Sequence, residues 1–124
     1  MIERAPRDDV MWLAGLLEGE GTFDLHRGRY PRVRVEMVDR DVIGRAATLL
    51  GTSVRVTLKR KPFKSTWHAE VSGTRAEAVM RALLPHMGAR RSARIAEVLG
   101  HAPNTDKSAP AISRPPGLPM GAPT

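Results

Sequence analysis

Cysteine is absent from the 124 residues. That removes disulfides, thiolate zinc sites and cysteine nucleophiles, and leaves oxygen or imidazole as the only ligands for a metal. No apolar run approaches the ~20 residues needed to cross a bilayer. The start, Met1-Ile2-Glu3-Arg4-Ala5-Pro6-Arg7-Asp8-Asp9, lacks the basic-then-apolar order of a secretory signal. A cytoplasmic protein with no membrane partner is the expectation. Acids are in the minority, thirteen against twenty Lys and Arg, and the resulting charge of +7 is what a polyanion binder carries. Lysine is scarce beside arginine, four against sixteen. Guanidinium groups suit bidentate contacts to phosphate and guanine, although an Arg- and Ala-rich chain is equally what a GC-rich genome yields. Bulky apolar residues almost vanish from 101–124, which hold six of the ten prolines. That stretch reads as a disordered tail, leaving residues 1–100 for a single domain.

What remains is strongly periodic. Asp8 or Asp9 can cap a helix whose apolar positions, Val10, Leu13, Leu16 and Leu17, recur at helical spacing until Gly19-Glu20-Gly21 stops it. Thr22–His26 alternates, with Phe23 and Leu25 on one face and Thr22, Asp24 and His26 on the other. A turn through Arg27-Gly28-Arg29-Tyr30-Pro31 leads to a second alternating run, with Val33, Val35 and Met37 opposite Arg32, Arg34 and Glu36. Asp39 or Asp41 caps a second helix that Gly51 ends. The hairpin pattern then returns. Val54, Val56 and Leu58 alternate with Arg55, Thr57 and Lys59, and Trp67, Ala69 and Val71 alternate with His68, Glu70 and Ser72 across the basic turn Arg60-Lys61-Pro62-Phe63-Lys64. A third helix begins near Thr74 with Ala78, Val79, Ala82 and Leu83 inward, and a basic fourth spans Arg90 to Leu99. The order is α-β-β-α-β-β-α-α, an α+β chain.

Gly15 and Gly19 lie four residues apart on one face of the first helix, and each costs roughly 1 kcal/mol there relative to Ala. Small residues at that spacing let two helix backbones approach closely. The glycine pattern occurs once, so its natural partner is the same helix of a second copy in a two-fold dimer. Leu13, Ala14, Gly15, Leu16, Glu18 and Gly19 are the expected interface. Glu18 and Glu20 stand at the carboxyl end of this helix, where the backbone dipole disfavours anions unless a cation arrives. In a dimer the acids of both copies would gather, and hard carboxylates suit Mg²⁺ or Mn²⁺. No small-molecule cofactor is expected.

The run Leu13-Ala14-Gly15-Leu16-Leu17-Glu18-Gly19-Glu20-Gly21, preceded by Trp12 and followed by Thr22-Phe23, resembles the signature of the LAGLIDADG homing endonucleases. Glu replaces both aspartates and Gly replaces the alanine between them. The resemblance extends over about residues 8–100 through the shared αββαββα order. It implies a homodimer of the single-motif type, with one curved four-stranded antiparallel sheet per subunit laid in the major groove of double-stranded DNA. It further implies Mg²⁺-dependent hydrolysis of one phosphodiester per strand at a long pseudo-palindromic site, cut across the minor groove to leave 3′ overhangs. By the same resemblance Glu20, with Gly19 beside it, holds the metal, while Glu18 shapes the helix end. Glu36 on the second strand holds the attacking water. A basic helper after the fourth strand falls at Thr74, so Arg75 beside it takes that role.

The polar faces of all four strands then become the DNA surface: Asp24, His26, Arg32, Arg34, Arg55, Thr57, Lys59, His68 and Glu70, joined by Arg29, Lys61 and Lys64 from the turns. Without the motif, the same face reads as an ordinary solvated sheet surface. His26 and His68 lack the i, i+4 spacing of a helical metal pair. Trp12 and Trp67 fit core packing better than base stacking. Arg90, Arg91 and Arg94 are either phosphate contacts or a solvated helix face. The alternative function is a nucleic-acid-binding protein without catalysis on the same fold, a regulator or an intron RNA maturase.

Overall fold

In a computed structural model, residues 2–101 are described. Residues 102–124, nearly all of the expected tail, lie outside them. After a 3-10 turn at Ile2–Arg4 come α1 (Arg7–Glu20), β1 (Gly21–His26), β2 (Tyr30–Met37), α2 (Arg40–Leu50), β3 (Arg55–Thr57), β4 (Thr66–Ser72) and α3 (Thr74–Leu83). A second 3-10 turn, Leu84–His86, leads to α4 (Ala89–His101). The strands form one antiparallel sheet in the order β1-β2-β4-β3. Two layers result. The helices cover one face, with α4 on β1, α3 on β2 and α2 on β4, and the core of Leu13, Leu17, Phe23, Val33, Val35, Ile43, Leu50, Val79, Met80, Leu83, Ile95 and Val98 fills the space between. Alternation places every second strand residue in that core and its neighbours on the opposite, open face.

The helix-to-strand switch at α1 and β1 occupies no loop. Gly19 and Glu20 remain helical, and only Gly21 breaks the helix, going to extended backbone while its N–H still bonds the carbonyl of Leu17. A side chain at Gly21 would meet the Leu17 carbonyl oxygen and Cδ2 at 2.8 Å. Gly21 is therefore required by close approach. Pro6 takes the α1 N-cap position, which moves Asp8 and Asp9 into the first turn, still at the positive end of the helix dipole. Of the two candidates for α2, Asp39 holds the N-cap position, and Gly51 ends that helix at φ 78° in the left-handed region.

Three expectations shift. The third strand contracts to Arg55–Thr57, and Val56 and Leu58 are 42% and 80% exposed, because β3 is the sheet edge beyond the strands that the helices cover. In α3 the inward residues are Ala76, Val79, Met80 and Leu83, so Ala78 and Ala82 are only partly buried. Alanine fits either face, and apolar pattern alone sets the helix phase poorly there. At the carboxyl end α4 runs through Gly100 to His101, one residue past the expected domain boundary.

Candidate active site and nucleic-acid interface

Sheet register decides which polar side chains meet. Asp24 lies opposite Arg32 and Thr22 opposite Arg34 on the β1–β2 pair. Across β2–β4, Arg34 lies opposite Glu70 and Glu36 opposite His68, and β3 adds Arg55 beside His68. The pairs Asp24–Arg32 and Arg34–Glu70 therefore set opposite charges across neighbouring strands, which stabilises the pairing. Asp24 takes a two-pronged contact from Arg32, with Nε at 2.9 Å and Nη2 at 3.0 Å, and a third from Arg34 Nη2 at 3.0 Å. The Arg32 guanidinium holds the Asp24 carboxyl below the usual carboxylate range, against the opposing effect of burial, and the contact raises Arg32 in turn. A further Arg32 nitrogen, Nη1, lies 3.1 Å from Nδ1 of His26. β1 and β2 thus carry a preformed, two-signed network of donors and acceptors.

Beside that network lies a cleft of about 370 Å³, lined by Glu20, Thr22, Arg34, Val35, Glu36, Thr57, His68 and Glu70. Glu20 reaches it as the last residue of α1, and the other residues come from all four strands. The Glu36 carboxylate accepts a hydrogen bond from the Thr66 hydroxyl and lies 3.9 Å from the Lys59 ammonium. Thr57 Oγ1 stands 3.4 Å from His68 Nδ1. Glu20 and Glu70 differ from Glu36. Among the described residues neither carboxylate makes a hydrogen bond or an ion pair, and Glu20 alone of the three sits at the negative end of a helix dipole.

Glu18 points elsewhere. Its Oε1 accepts the Gly88 N–H at 2.8 Å, and its carbonyl accepts Arg91 Nε at 3.0 Å, so both ends of the residue are tied to the start of α4. Arg94 Nε donates to the carbonyl of Phe23 at 2.8 Å. Two of the three basic residues of α4 are therefore bound to backbone, which neither reading of them as phosphate contacts or solvated surface had included. Such contacts span more than 70 positions, and no local pattern announces them.

Arg75 is not brought to Glu20. It lies in the first turn of α3, donates to the carbonyl of Gly51 at the end of α2, and lines hollows on the Thr52 and Thr74 side. The α2 carboxyl terminus offers an unpaired carbonyl and a negative dipole end, which draws the guanidinium away. The cleft's cationic lining residue is Arg34, expected only as a DNA contact. Thr22 also lines it without having been singled out; its place two residues after Glu20 on the open face was the available signal.

The expected dimer face also needs correction. Leu13 and Ala14 are 0% and 3% exposed, packed in their own chain's core, so a second copy cannot reach them. Gly15 and Gly19 are exposed, a side chain built on either would meet nothing within 4 Å, and Leu16 is half-buried beside them. The open stripe of α1 is therefore Met11, Gly15 and Gly19, one helical face away from the core residues Leu13, Ala14 and Leu17. Trp12 is half-buried, packed on the core and covered by the Arg45 guanidinium at 4.0 Å; Trp67 lies similarly under Arg40 at 5.0 Å.

For metal, the donor set is hard but sparse. Among the described residues no group of three or more His, Asp or Glu side chains could enclose an ion. Two unpaired carboxylates on the cleft, Glu20 and Glu70, fit a hydrated hard cation that takes its other ligands from water and phosphate, and do not fit an all-protein cage. No helix among the described residues is long and apolar enough to cross a membrane.

This architecture is that of solved homing endonucleases. The homing endonuclease I-CvuI in complex with its target in the presence of calcium matches with a TM-score of 0.55 and 20% identity, over 77% of this chain and 68% of that one. I-CvuI complexed with the I-CreI target in magnesium gives 0.57 and 20%, over 76% and 65%. The group I intron-encoded homing endonuclease I-CeuI complexed with DNA gives 0.56 and 14%, over 78% and 55%. At these identities the likeness is one of fold, and the α+β fold expected from the resemblance is the fold observed. No family model matches the chain, and no curated protein does.

Proposed function

We propose that this chain is one subunit of a homodimeric, divalent-metal-dependent endonuclease that cleaves double-stranded DNA at a long, pseudo-palindromic site. One observation carries the reading: Glu20, the last residue of α1, is an unpaired carboxylate opening onto a cleft in the polar sheet face. An acid at a negative helix end with no partner of its own is open to an incoming cation, which would also offset the dipole. The homing endonuclease I-CvuI, of the same fold, was solved on DNA in calcium and, with the DNA uncleaved, in magnesium, which supports the same ligands here.

Glu20 and the Gly19 carbonyl would hold the ion, which when bound polarises the phosphodiester and lowers the pKa of water. Glu36, fixed by Thr66, accepts the proton of the attacking water. Arg34 lies in the cleft where charge develops on phosphate oxygens, and takes the helper role first assigned to Arg75. The network of Asp24, His26 and Arg32, with His68, Glu70, Arg55, Thr57 and Lys59, reads base edges and backbone, and Arg29, Lys61 and Lys64 reach phosphates from the turns. Two copies meet along Gly15 and Gly19, which makes the recognised site two-fold. Such a protein works inside the cell.

Incubation with a randomised duplex library in Mg²⁺, followed by sequencing of cut ends, tests this. Paired cuts a fixed distance apart, lost on adding a chelator, are expected; intact duplex at saturating protein would overturn it. Arg75 bonds the Gly51 carbonyl and does not line the cleft, which favours a second reading, DNA or intron RNA binding without cleavage, and that reading predicts gel shifts with no nicking.

A further inference from the structure

We infer that Arg91 and Arg94 of α4 are positioning residues for Glu20, clamping the α1–β1 junction from outside the cleft. This rests on the reading of Glu20 as the metal-binding acid. The junction Gly19-Glu20-Gly21-Thr22 is bracketed on both sides by α4. Before it, the Glu18 carbonyl accepts Arg91 Nε at 3.0 Å while the Glu18 carboxylate accepts the Gly88 N–H at 2.8 Å. After it, the Phe23 carbonyl accepts Arg94 Nε at 2.8 Å, and the Arg91 guanidinium stands 5.9 Å from the Phe23 ring centre.

The junction needs such a clamp. Glu20 is exposed and has no hydrogen bond or ion pair of its own among the described residues, so only its backbone fixes where its Cα–Cβ bond starts. The chain changes there from helix to strand with no intervening loop, and two of the four residues are glycine, of which Gly19 has no neighbour within 4 Å of a built side chain. The Glu18 carbonyl is one of the four at the helix end that have no intrahelical donor, and a guanidinium there also offsets the negative dipole. Ordering two long arginine side chains costs conformational entropy, which a merely solvated helix face would not incur. Both arginines lie on α4, which packs on the helix-covered side of β1 and away from the polar sheet face, so they act on where Glu20 is held rather than on how DNA binds. Displacing a reacting group by about 1 Å can cost up to a hundredfold in rate.

The test compares the wild type with Arg91→Met, Arg94→Met and Arg94→Lys, measuring amide hydrogen exchange, duplex affinity, and kcat and KM for cleavage in Mg²⁺. The Met variants keep the aliphatic stem and lose the donor; Lys restores one. Exchange about tenfold faster and confined to residues 18–24, kcat reduced ten- to a hundredfold, KM and affinity within twofold, and partial rescue by Lys are expected. Unchanged exchange at 18–24, or faster exchange with unchanged kcat, would overturn the clamp. So would equal loss in Arg94→Lys and Arg94→Met accompanied by weaker DNA binding, the mark of a general folding role. If the wild type itself cuts nothing, the endonuclease reading fails and the catalytic half of the inference falls with it, while the exchange data still decide whether α4 holds the junction.

Discussion

Asp24 already has two cations, Arg32 at 2.9 Å and Arg34 at 3.0 Å, whereas Glu20 four residues earlier has none among the described residues. The difference sets different expectations for the two acids. The Asp24 carboxyl sits below its ordinary range in the folded chain. Its contribution to stability is therefore complete above the usual carboxylate range and is lost as pH falls through the depressed folded value. Asp24→Asn is expected to cost about 1 kcal/mol at neutral pH and to flatten the acid limb of the melting temperature plotted against pH; an unchanged acid limb would remove Asp24 from the network. The same substitution frees Arg32 and Arg34, so it should also raise affinity for non-specific duplex. Much of this was legible in the sequence, because Asp24, Arg32 and Arg34 fall on one face by alternation. Arg75 was not: its nearness to the end of β4 in sequence suggested the cleft, but the first turn of α3 and the carbonyl of Gly51 take it elsewhere.

At the scale of elements, α1 carries three separate jobs on three faces. Leu13, Ala14 and Leu17 anchor it in the core, Gly15 and Gly19 leave an open stripe, and the carboxyl end delivers Glu20. Gly21→Ala forces a contact of 2.8 Å with Leu17, and is expected to lose about 1–3 kcal/mol, the usual cost of overpacking, read as a melting temperature several degrees lower. Gly15→Ala behaves oppositely in one chain and in two. With nothing within 4 Å of the added carbon, it should stabilise the single chain by up to about 1 kcal/mol through helix propensity while weakening self-association, measured by sedimentation. Stronger association in the variant would refute the glycine seam. Helices and the first hairpin were readable because their apolar residues follow one period throughout. The second hairpin misled, since Val54, Val56 and Leu58 alternate as well as any buried strand, and alternation does not say whether a helix lies above. The clamp from α4 could not be read at all, being built from backbone carbonyls 71 and 73 positions away.

For the molecule as a whole, the charge of +7 and the basic turns of Arg29, Lys61 and Lys64 predict duplex binding that weakens steeply with salt, with a log–log slope of roughly −0.9 for each phosphate neutralised. Arg55→Ala, at an exposed position on the sheet edge, should make that slope shallower by roughly one if Arg55 contacts phosphate. Binding alone does not separate an endonuclease from a nucleic-acid-binding relative of the same fold, because both use the same basic sheet. The separation lies at Glu20. The direct measurement is cleavage of a selected duplex by wild type and Glu20→Gln, side by side with duplex affinity. Loss of cutting by a thousandfold or more, with affinity within a few-fold of wild type, is the predicted result. Equal cutting by the two proteins would contradict it.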